Sequence, residues 1–365
     1  MTAEPLVDGR SQRSHNRKGV VCGRIVLLLL ALHAASGKDL RIGVFGLFHP
    51  SELILRAAPG IVLRVNVAGA VWELEGSRTA RLRVGRSGVL CTVGDRTASA
   101  ELVRASGPQG RTDFFLSVPG RIDRRFAGAF EVRARDGELV PVVITDLETA
   151  VASAVAAESL SGAPMEALKA QAIAARSFYL ASPARHRDFQ FCDTTHCQFL
   201  REPPKQTGAA GAAEAAAAET KGLVLLHEDA VLAALFSASC GGRTRTLAEA
   251  GMAAEGYPYY SIECPSCLSG ARDWERSFPA DYARLIENRS EAHRIELGRV
   301  LGWDVIPGYN YQVTRDGDRI LVHGRGEGHG IGLCQRGASA MAASGLNYRV
   351  ILNYYYPNTV VGFRE

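Results

Sequence analysis

The residue pattern of this chain changes near Thr145, and that change restricts the folds it can adopt. From about residue 41 to residue 144, short segments rich in Val, Leu, Ile and Phe alternate partly with polar residues. Turn residues separate them, for example at Pro59-Gly60 and Asp136-Gly137. This pattern predicts β-strands in a mostly antiparallel arrangement. The expected strands are 41–45, 52–56, 61–67, 81–84, 114–118 and 130–135.

Helical signals follow the change. Thr145-Asp-Leu-Glu148 is typical of a capping box, with Thr145 as cap and Glu148 reaching back, and predicts a helix to about Glu158. Pro164 suits the first turn of a second helix over 165–180. Further helices are expected at 209–221 and 336–343, the latter before an aromatic tail. We therefore predict an α+β chain: a β-rich N-terminal region, residues 38–144, followed by a mixed helical and strand domain, residues 145–365.

The first 37 residues have the order of an export signal. A basic stretch ends at Arg24, an apolar run follows from Ile25 to Ala35, and small residues come next. This order predicts a signal peptide or N-terminal anchor. The alternative is a short buried helix at the start of the chain. Export predicts a location in the periplasm or cell envelope of a bacterium.

Charge argues against nucleic acid as a partner. The formal net charge is +4, and the first 36 residues hold a surplus of three positive charges, so the remainder is close to neutral. A nucleic-acid surface would need a clustered basic excess.

Glu158 is a candidate catalytic acid. Val151, Val155 and Glu158 share one helix face that is otherwise apolar. Burial and the helix C-terminus would both raise the pKa of a carboxyl group there, as a general acid in glycoside cleavage requires. The alternative is a helix-end glutamate that faces water.

Cysteines and histidines suggest metal sites. His186, Cys192 and Cys197 lie within twelve residues and can bind zinc, with His196, water or a distant group as fourth ligand. The alternative is a disulfide between Cys192 and Cys197.

A second set of cysteines leaves more alternatives open. Cys264 and Cys267 form a Cys-x2-Cys pair, with Cys240 and Cys334 elsewhere in the sequence. Disulfides within this set are one interpretation and a second structural zinc site is another.

The segment Gly324 to Gly332 has glycine at alternate positions. It fits no phosphate-binding pattern. It suggests extended backbone close to a ligand or another strand, with His329 either facing a cleft or filling a structural role.

At these residues the sequence resembles the SpoIID/LytB family, peptidoglycan-acting proteins of bacterial envelopes. The resemblance is carried by blocks in fixed order: Asp146 to Glu158, Pro164 to Tyr179, Cys192 to Gln198, Phe236 to Gly242 and Gly328 to Ala338. It implies a SpoIID-type catalytic domain over 145–365. There are departures from the family pattern. Thr149-Ala150 stands where the family has an aromatic residue, and Glu327 stands where the family often has another. Glu327 and Asp193 are the candidates for the second carboxylate that a hydrolase would need.

The resemblance implies roles residue by residue. It makes Glu158 the catalytic glutamate and His186, Cys192 and Cys197 the ligands of a structural or cleft-organising zinc ion. The residues it places in blocks that shape the substrate cleft are Gln171, Arg176, Ser237, His329 and Gln335.

Three functions are compared on this basis. The first is a peptidoglycan lytic transglycosylase, a carbon-oxygen lyase that cleaves the MurNAc-GlcNAc bond of glycan strands, expected to be stripped of peptides, with one glutamate as acid and base. The second is a non-catalytic glycan-binding modifier that enhances an N-acetylmuramoyl-L-alanine amidase of the cell wall. The third is a zinc hydrolase with a catalytic metal.

Overall fold

The computed structural model describes residues 39–194, 196–200, 208–252, 256–288, 291–302 and 305–364. The predicted signal segment, residues 1–37, lies outside them, so export stays a prediction. No helix in the described ranges is long and apolar enough to cross a membrane.

The described residues contain both strands and helices, so the predicted α+β class is confirmed. The strands are β1 (Asp39–Gly43), β2 (Glu52–Ala57), β3 (Leu63–Val67), β4 (Ala70–Leu74), β5 (Thr79–Gly85), β6 (Gly88–Val93), β7 (Arg96–Ala100), β8 (Leu102–Ser106), β9 (Thr112–Val118), β10 (Ile122–Arg135), β11 (Glu138–Asp146), β12 (Phe191–Cys192), β13 (Leu223–His227), β14 (Ala230–Val231), β15 (Phe236–Ser237), β16 (Asp273–Pro279), β17 (Tyr311–Asp316), β18 (Arg319–Arg325), β19 (Leu333–Cys334) and β20 (Val360–Phe363). The helices are α1 (Leu147–Glu158), α2 (Met165–Ala181), α3 (Gly208–Glu219), α4 (Pro265–Gly270), α5 (Ala283–Glu287), α6 (Glu291–Leu301), α7 (Gln335–Ala343) and α8 (Tyr348–Tyr355).

The large sheet is built around β10, the longest strand. Its first half pairs with β9, and its second half pairs with β8 on one side and β11 on the other, all antiparallel. The sheet runs in the order β12-β1-β11-β10-β9-β2-β5-β6-β7, with β3, β4 and β8 joined beside it. Alternating burial, as in β2 and β6, gives each strand one face in the core.

Helix α1 packs against β11 and β1 of this sheet, and α2 and α3 pack on α1. α1 follows directly from β11, and its core side chains share one hydrophobic cluster with Leu40 of β1 and with Tyr356, which follows α8. The same core therefore supports both the predicted leading region and the helices. The division at residue 144 stays a prediction.

A small sheet of β16, β18 and β17 has its own core. Trp274, Ile286 and Val322 are among the buried side chains of this second cluster. No local pattern in the sequence predicted the helices and strands of this part of the chain.

Two local predictions are wrong. The cap of α1 is Asp146, whose side chain accepts the N–H of Thr149 at 2.9 Å, and Thr145 belongs to β11. The aromatic tail is a helix, α8, whose cap Asn347 accepts the N–H groups of Arg349 and Val350.

Candidate functional site

Glu158 is the last residue of α1, as the sequence predicts. Its side chain is half-buried, and its Oε1 accepts the backbone N–H of Phe199 at 2.6 Å. Its backbone carbonyl accepts a hydrogen bond from Nε2 of Gln335 at 2.9 Å. Two distant segments therefore fix the end of the helix and the direction of the carboxyl group.

A cleft of about 530 Å³ opens beside Glu158. Four of the predicted site residues line it, Glu158, Ser237, His329 and Gln335, together with Cys197 of the predicted zinc ligands. They come from α1, β15, the glycine-rich segment and α7. A cleft of this size, with few polar groups converging in it, is typical of a small-molecule or oligomer subsite.

Two polar atoms of the cleft lining lack partners. Oγ of Ser237 and Oε1 of Gln198 are buried and have no hydrogen-bond partner among the described residues. Buried polar groups are normally hydrogen-bonded. Their residues line the cleft, so the unpaired atoms lie close to its surface.

The glycine-rich segment forms one wall of the cleft. Gly324 lies in β18, but Gly326, Gly328, Gly330 and Gly332 all have positive φ, so the predicted extended backbone is wrong at these four glycines. The predicted close approach is confirmed, because a Cβ at Gly326 would lie 2.5 Å from the carbonyl oxygen of Ser239. His329 Nδ1 accepts the N–H of Ile331 at 3.0 Å, which directs the proton of the neutral ring to Nε2.

Arg176 and Gln171 are not among the residues that line the cleft. Arg176 is fully buried and donates to Glu148 from Nε at 2.8 Å and from Nη2 at 2.6 Å. It also donates to the carbonyl groups of Ala217 and Leu223, which joins α1, α2, α3 and β13. The observed contacts of Arg176 are structural, and Gln171 is buried within α2.

The two additional carboxylates have different surroundings. Glu327 lines the cleft with Glu158. Asp193 is not among the residues that line it. Its Oδ2 accepts hydrogen bonds from Arg124 at 3.1 Å and from the backbone N–H of Phe45. Burial raises the pKa of Asp193 to about 6 against the opposing charge of Arg124.

The predicted zinc ligands come together. His186, Cys192, His196 and Cys197 each place one donor atom within 4.8 Å of all the others. Nε2 of His186 lies 3.4 Å from Sγ of Cys197, and Nδ1 of His196 lies 3.7 Å from Sγ of Cys192. Two thiols and two imidazoles at this spacing fit a tetrahedral zinc ion. Of the fourth ligands considered, the geometry favours His196.

The electrostatics of this cluster favour one thiolate. Hydrogen bonds from Cys197, His186 and His196 lower the pKa of Cys192 well below its ordinary value, although burial opposes them. The pKa of Cys197 is raised because its thiol donates to Cys192 and is itself buried. A divalent cation would stabilise both as thiolates.

Several cleft residues were missed in the sequence. Gln198 lies within a block quoted for the resemblance, and its neighbour Phe199 is half-buried in the lining. Ile306, Pro307 and Tyr309 reach the cleft from the loop before β17. For Phe199, the available signal was an aromatic residue soon after the Cys-x4-Cys spacing. No local sequence pattern indicated the loop before β17.

The part of the chain that carries the candidate site is similar to known proteins. Residues 135–227, which include Glu158 and the predicted zinc ligands, match the family model for SpoIID, Stage II sporulation protein. The chain is 27% identical over 262 residues to Stage II sporulation protein D of Bacillus subtilis (strain 168), covering 59% of this chain and 74% of that protein.

Two other relatives match segments of very different length. An uncharacterized protein of Brachyspira hyodysenteriae is 28% identical over 227 residues, which are 53% of this chain and 60% of that protein. The Amidase enhancer of Bacillus subtilis is 39% identical over 66 residues, 18% of this chain and 9% of its own length. The chain thus spans less than two thirds of some relatives that it matches. The model match over residues 135–227 and the named relatives together support the resemblance of this chain to the SpoIID/LytB family.

Proposed function

We propose that this protein is an exported peptidoglycan lytic transglycosylase of the bacterial cell envelope. The observation that carries the proposal is the position of Glu158, a carboxyl group fixed by Phe199 and Gln335 on the wall of a cleft. The substrate is a glycan strand, preferably stripped of its peptides, and the bond cleaved joins MurNAc to GlcNAc. Half-buried Phe199 and Tyr309 offer aromatic surface for the sugar rings.

A single carboxyl group is sufficient for this reaction. Glu158 in its neutral form donates its proton to the glycosidic oxygen as the bond from the MurNAc anomeric carbon breaks. The resulting carboxylate then takes the proton of the C6 hydroxyl group of the same sugar, whose oxygen bonds to the anomeric carbon and closes a 1,6-anhydro ring. A hydrolase would instead use two carboxyl groups, about 5 Å apart or about 6.5–9.5 Å apart. Glu327 is the carboxylate of the cleft lining that would fill that second role.

We further propose that His186, Cys192, His196 and Cys197 bind one zinc ion. Four protein donors complete a tetrahedral shell and leave no position for water, which is typical of structural zinc. When bound, the ion supplies positive charge that holds both cysteines as thiolates. Because Phe199 follows Cys197 closely, the residues of this loop hold the N–H group that orients Glu158. A zinc hydrolase receives no support from this donor set.

The amidase-enhancer function remains a second candidate, favoured by the printed name of one relative. In that case the cleft binds glycan without cleaving it, and a cell-wall amidase is the partner.

Product analysis distinguishes these functions. Wild-type protein, Glu158→Gln and the control Glu214→Gln, an exposed glutamate of α3, are incubated with peptide-bearing and peptide-stripped strands. The proposal expects anhydro-ended fragments from wild type and Glu214→Gln, and none from Glu158→Gln. Reducing-end fragments would indicate hydrolysis. Strand binding without cleavage, together with amidase stimulation by wild type and Glu158→Gln alike, would establish the enhancer function instead.

A further inference from the structure

Four other cysteines form a second cluster. Cys240, Cys264, Cys267 and Cys334 are all buried, and their Sγ atoms lie within 4.8 Å of one another. They come from three separate segments: the turn after β15, the first turn of α4 and the last residue of β19. Apart from the Cys264–Cys267 pair, these cysteines are far apart in sequence, and the tertiary structure brings them together.

The spacing of the sulfurs is that of a tetrahedral metal site. Sγ of Cys267 lies 3.5 Å from Sγ of Cys334. Four sulfurs at about 2.3 Å from one zinc ion are roughly 3.8 Å from each other. Disulfides would join the sulfurs in pairs, whereas here all four are mutually close and each cysteine is free. An iron-sulfur cluster places two or four iron atoms between the thiolates and needs a wider arrangement.

Neighbouring groups are placed to stabilise thiolates. The backbone N–H of Cys240 donates to Sγ of Cys334 at 3.4 Å. Oγ of Ser239 lies 3.4 Å from Sγ of Cys267, and the hydroxyl of Tyr355 lies 3.4 Å from Sγ of Cys264. Such outer hydrogen bonds are typical of metal-bound cysteines. Buried thiolates without a cation would be strongly unfavourable.

The position of Gly337 on α7 supports the same interpretation. A Cβ there would lie 2.6 Å from Sγ of Cys264 and would overlap the hydroxyl of Tyr355. Glycine thus allows α7 to pack directly on the cluster. This leaves the sulfurs and their hydroxyl partner tightly enclosed.

We propose that Cys240, Cys264, Cys267 and Cys334 bind one zinc ion through four thiolates, as a second metal centre separate from the His186–Cys197 cluster. The ion would be structural, because four thiolates close its coordination shell. It would tie the segment that carries Ser237 and the start of α7 to α4. Since Ser237 and Gln335 line the cleft, this centre would support the cleft wall from behind. The inference does not depend on the proposed lytic activity.

Metal content tests the proposal directly. The full chain is purified without added chelator, and zinc per chain is measured for wild type, Cys267→Ala, Cys192→Ala and the double variant. The expected values are close to two, one, one and none. Cys91→Ala is the matched control, because Cys91 is buried in β6 and belongs to neither cluster, and it should retain both ions.

Thiol mapping provides a readout that does not depend on any variant folding. Wild-type protein is denatured with chelator and alkylated without reduction, and the modified peptides are identified by mass. The proposal expects all four cysteines to be alkylated. Disulfide-linked peptides containing them, iron with acid-labile sulfide, or a zinc content unchanged in Cys267→Ala would each overturn it.

Cobalt substitution tests the ligand type. Co²⁺ replaces zinc in Cys192→Ala, which retains the four-cysteine cluster alone, and the sulfur-to-metal charge-transfer bands are recorded. Intensity typical of four thiolate ligands supports the proposal. Bands typical of two thiolates, or none, would contradict it.

Discussion

The side-chain amide of Gln335 donates a hydrogen bond of 2.9 Å to the backbone carbonyl of Glu158, across 177 positions of sequence. The start of α7 thereby satisfies a carbonyl group at the C-terminus of α1, where helices leave acceptors unpaired. It also fixes the residue that we propose as the acid and base. Gln335 therefore acts as a positioning residue.

Replacing Gln335 by Ala should lower both stability and turnover. The variant loses a hydrogen bond to a partly buried carbonyl, so the free energy of unfolding should fall by about 1–2 kcal/mol. If the proposed cleavage is correct, kcat should fall by roughly 10–100-fold, with KM little changed, because Glu158 loses its alignment. Urea unfolding and steady-state kinetics check both. Gln312→Ala, at an exposed position of β17, is the control; an unchanged kcat beside reduced stability would restrict Gln335 to a purely structural role.

Removing Arg176 should destabilise the whole fold. Its guanidinium is fully buried and paired with Glu148, so Arg176→Ala should cost about 3–5 kcal/mol in unfolding free energy. The double variant Glu148→Ala/Arg176→Ala should lose less than the sum of the single changes. Arg315→Ala, which breaks an exposed pair with Glu287, should cost only about 0–1 kcal/mol.

The contrary result for Arg176 is also informative. If Arg176→Ala were as stable as Arg315→Ala yet failed to bind glycan strands, the substrate-binding role implied by the family resemblance would hold instead.

Stability in acid should depend on Glu131. Partial burial by itself would raise the pKa of this carboxyl group, but hydrogen bonds from Arg41 and Arg104 outweigh that effect and lower it. A lowered pKa in the folded state means that the ionised group stabilises the fold above the unfolded value, 4.5. That contribution is lost as the pH falls through the folded value.

Glu131→Gln should therefore lose less stability than wild type between about pH 7 and about pH 3, because the variant has no carboxylate to protonate at this position. Urea unfolding across this range measures the difference. Glu73→Gln, which alters an exposed pair with Arg64, should follow the wild-type curve. Identical curves for Glu131→Gln and wild type would show that the Arg41 and Arg104 contacts carry no net stabilisation.

Gly332 should tolerate a side chain less well than Gly345. Both have positive φ, which costs a non-glycine residue about 1–2 kcal/mol. A Cβ at Gly345 meets no atom within 4 Å, whereas at Gly332 it would overlap the carbonyl oxygen of Leu235. Gly332→Ala should thus lose roughly 1–3 kcal/mol more than Gly345→Ala, as measured by thermal or urea unfolding. Equal losses would mean that the glycine-rich wall can move away from β15.

Much of the helical part of the site could be predicted from sequence, because the signals are local. The end of α1 at Glu158 follows from a helix start and a spacing of apolar residues along one face. The His186, Cys192 and Cys197 ligands lie within twelve residues, so a single loop can bring them together. The predicted cap of α1, Thr145, is one residue before the observed cap, Asp146, because Thr and Asp are both good helix caps.

What the sequence by itself determined was the α+β class and the residues of each block. Only the tertiary structure decided which of them meet. It placed Ser237, His329 and Gln335 beside Glu158 and put Arg176 into a buried ion pair. It also brought Tyr309 to the cleft from the loop before β17, which no local sequence pattern indicated. The physical reason is that helix faces and caps depend on residues three or four positions apart. The cleft and the four-cysteine cluster depend instead on side chains that approach only when segments distant in sequence pack on a common core.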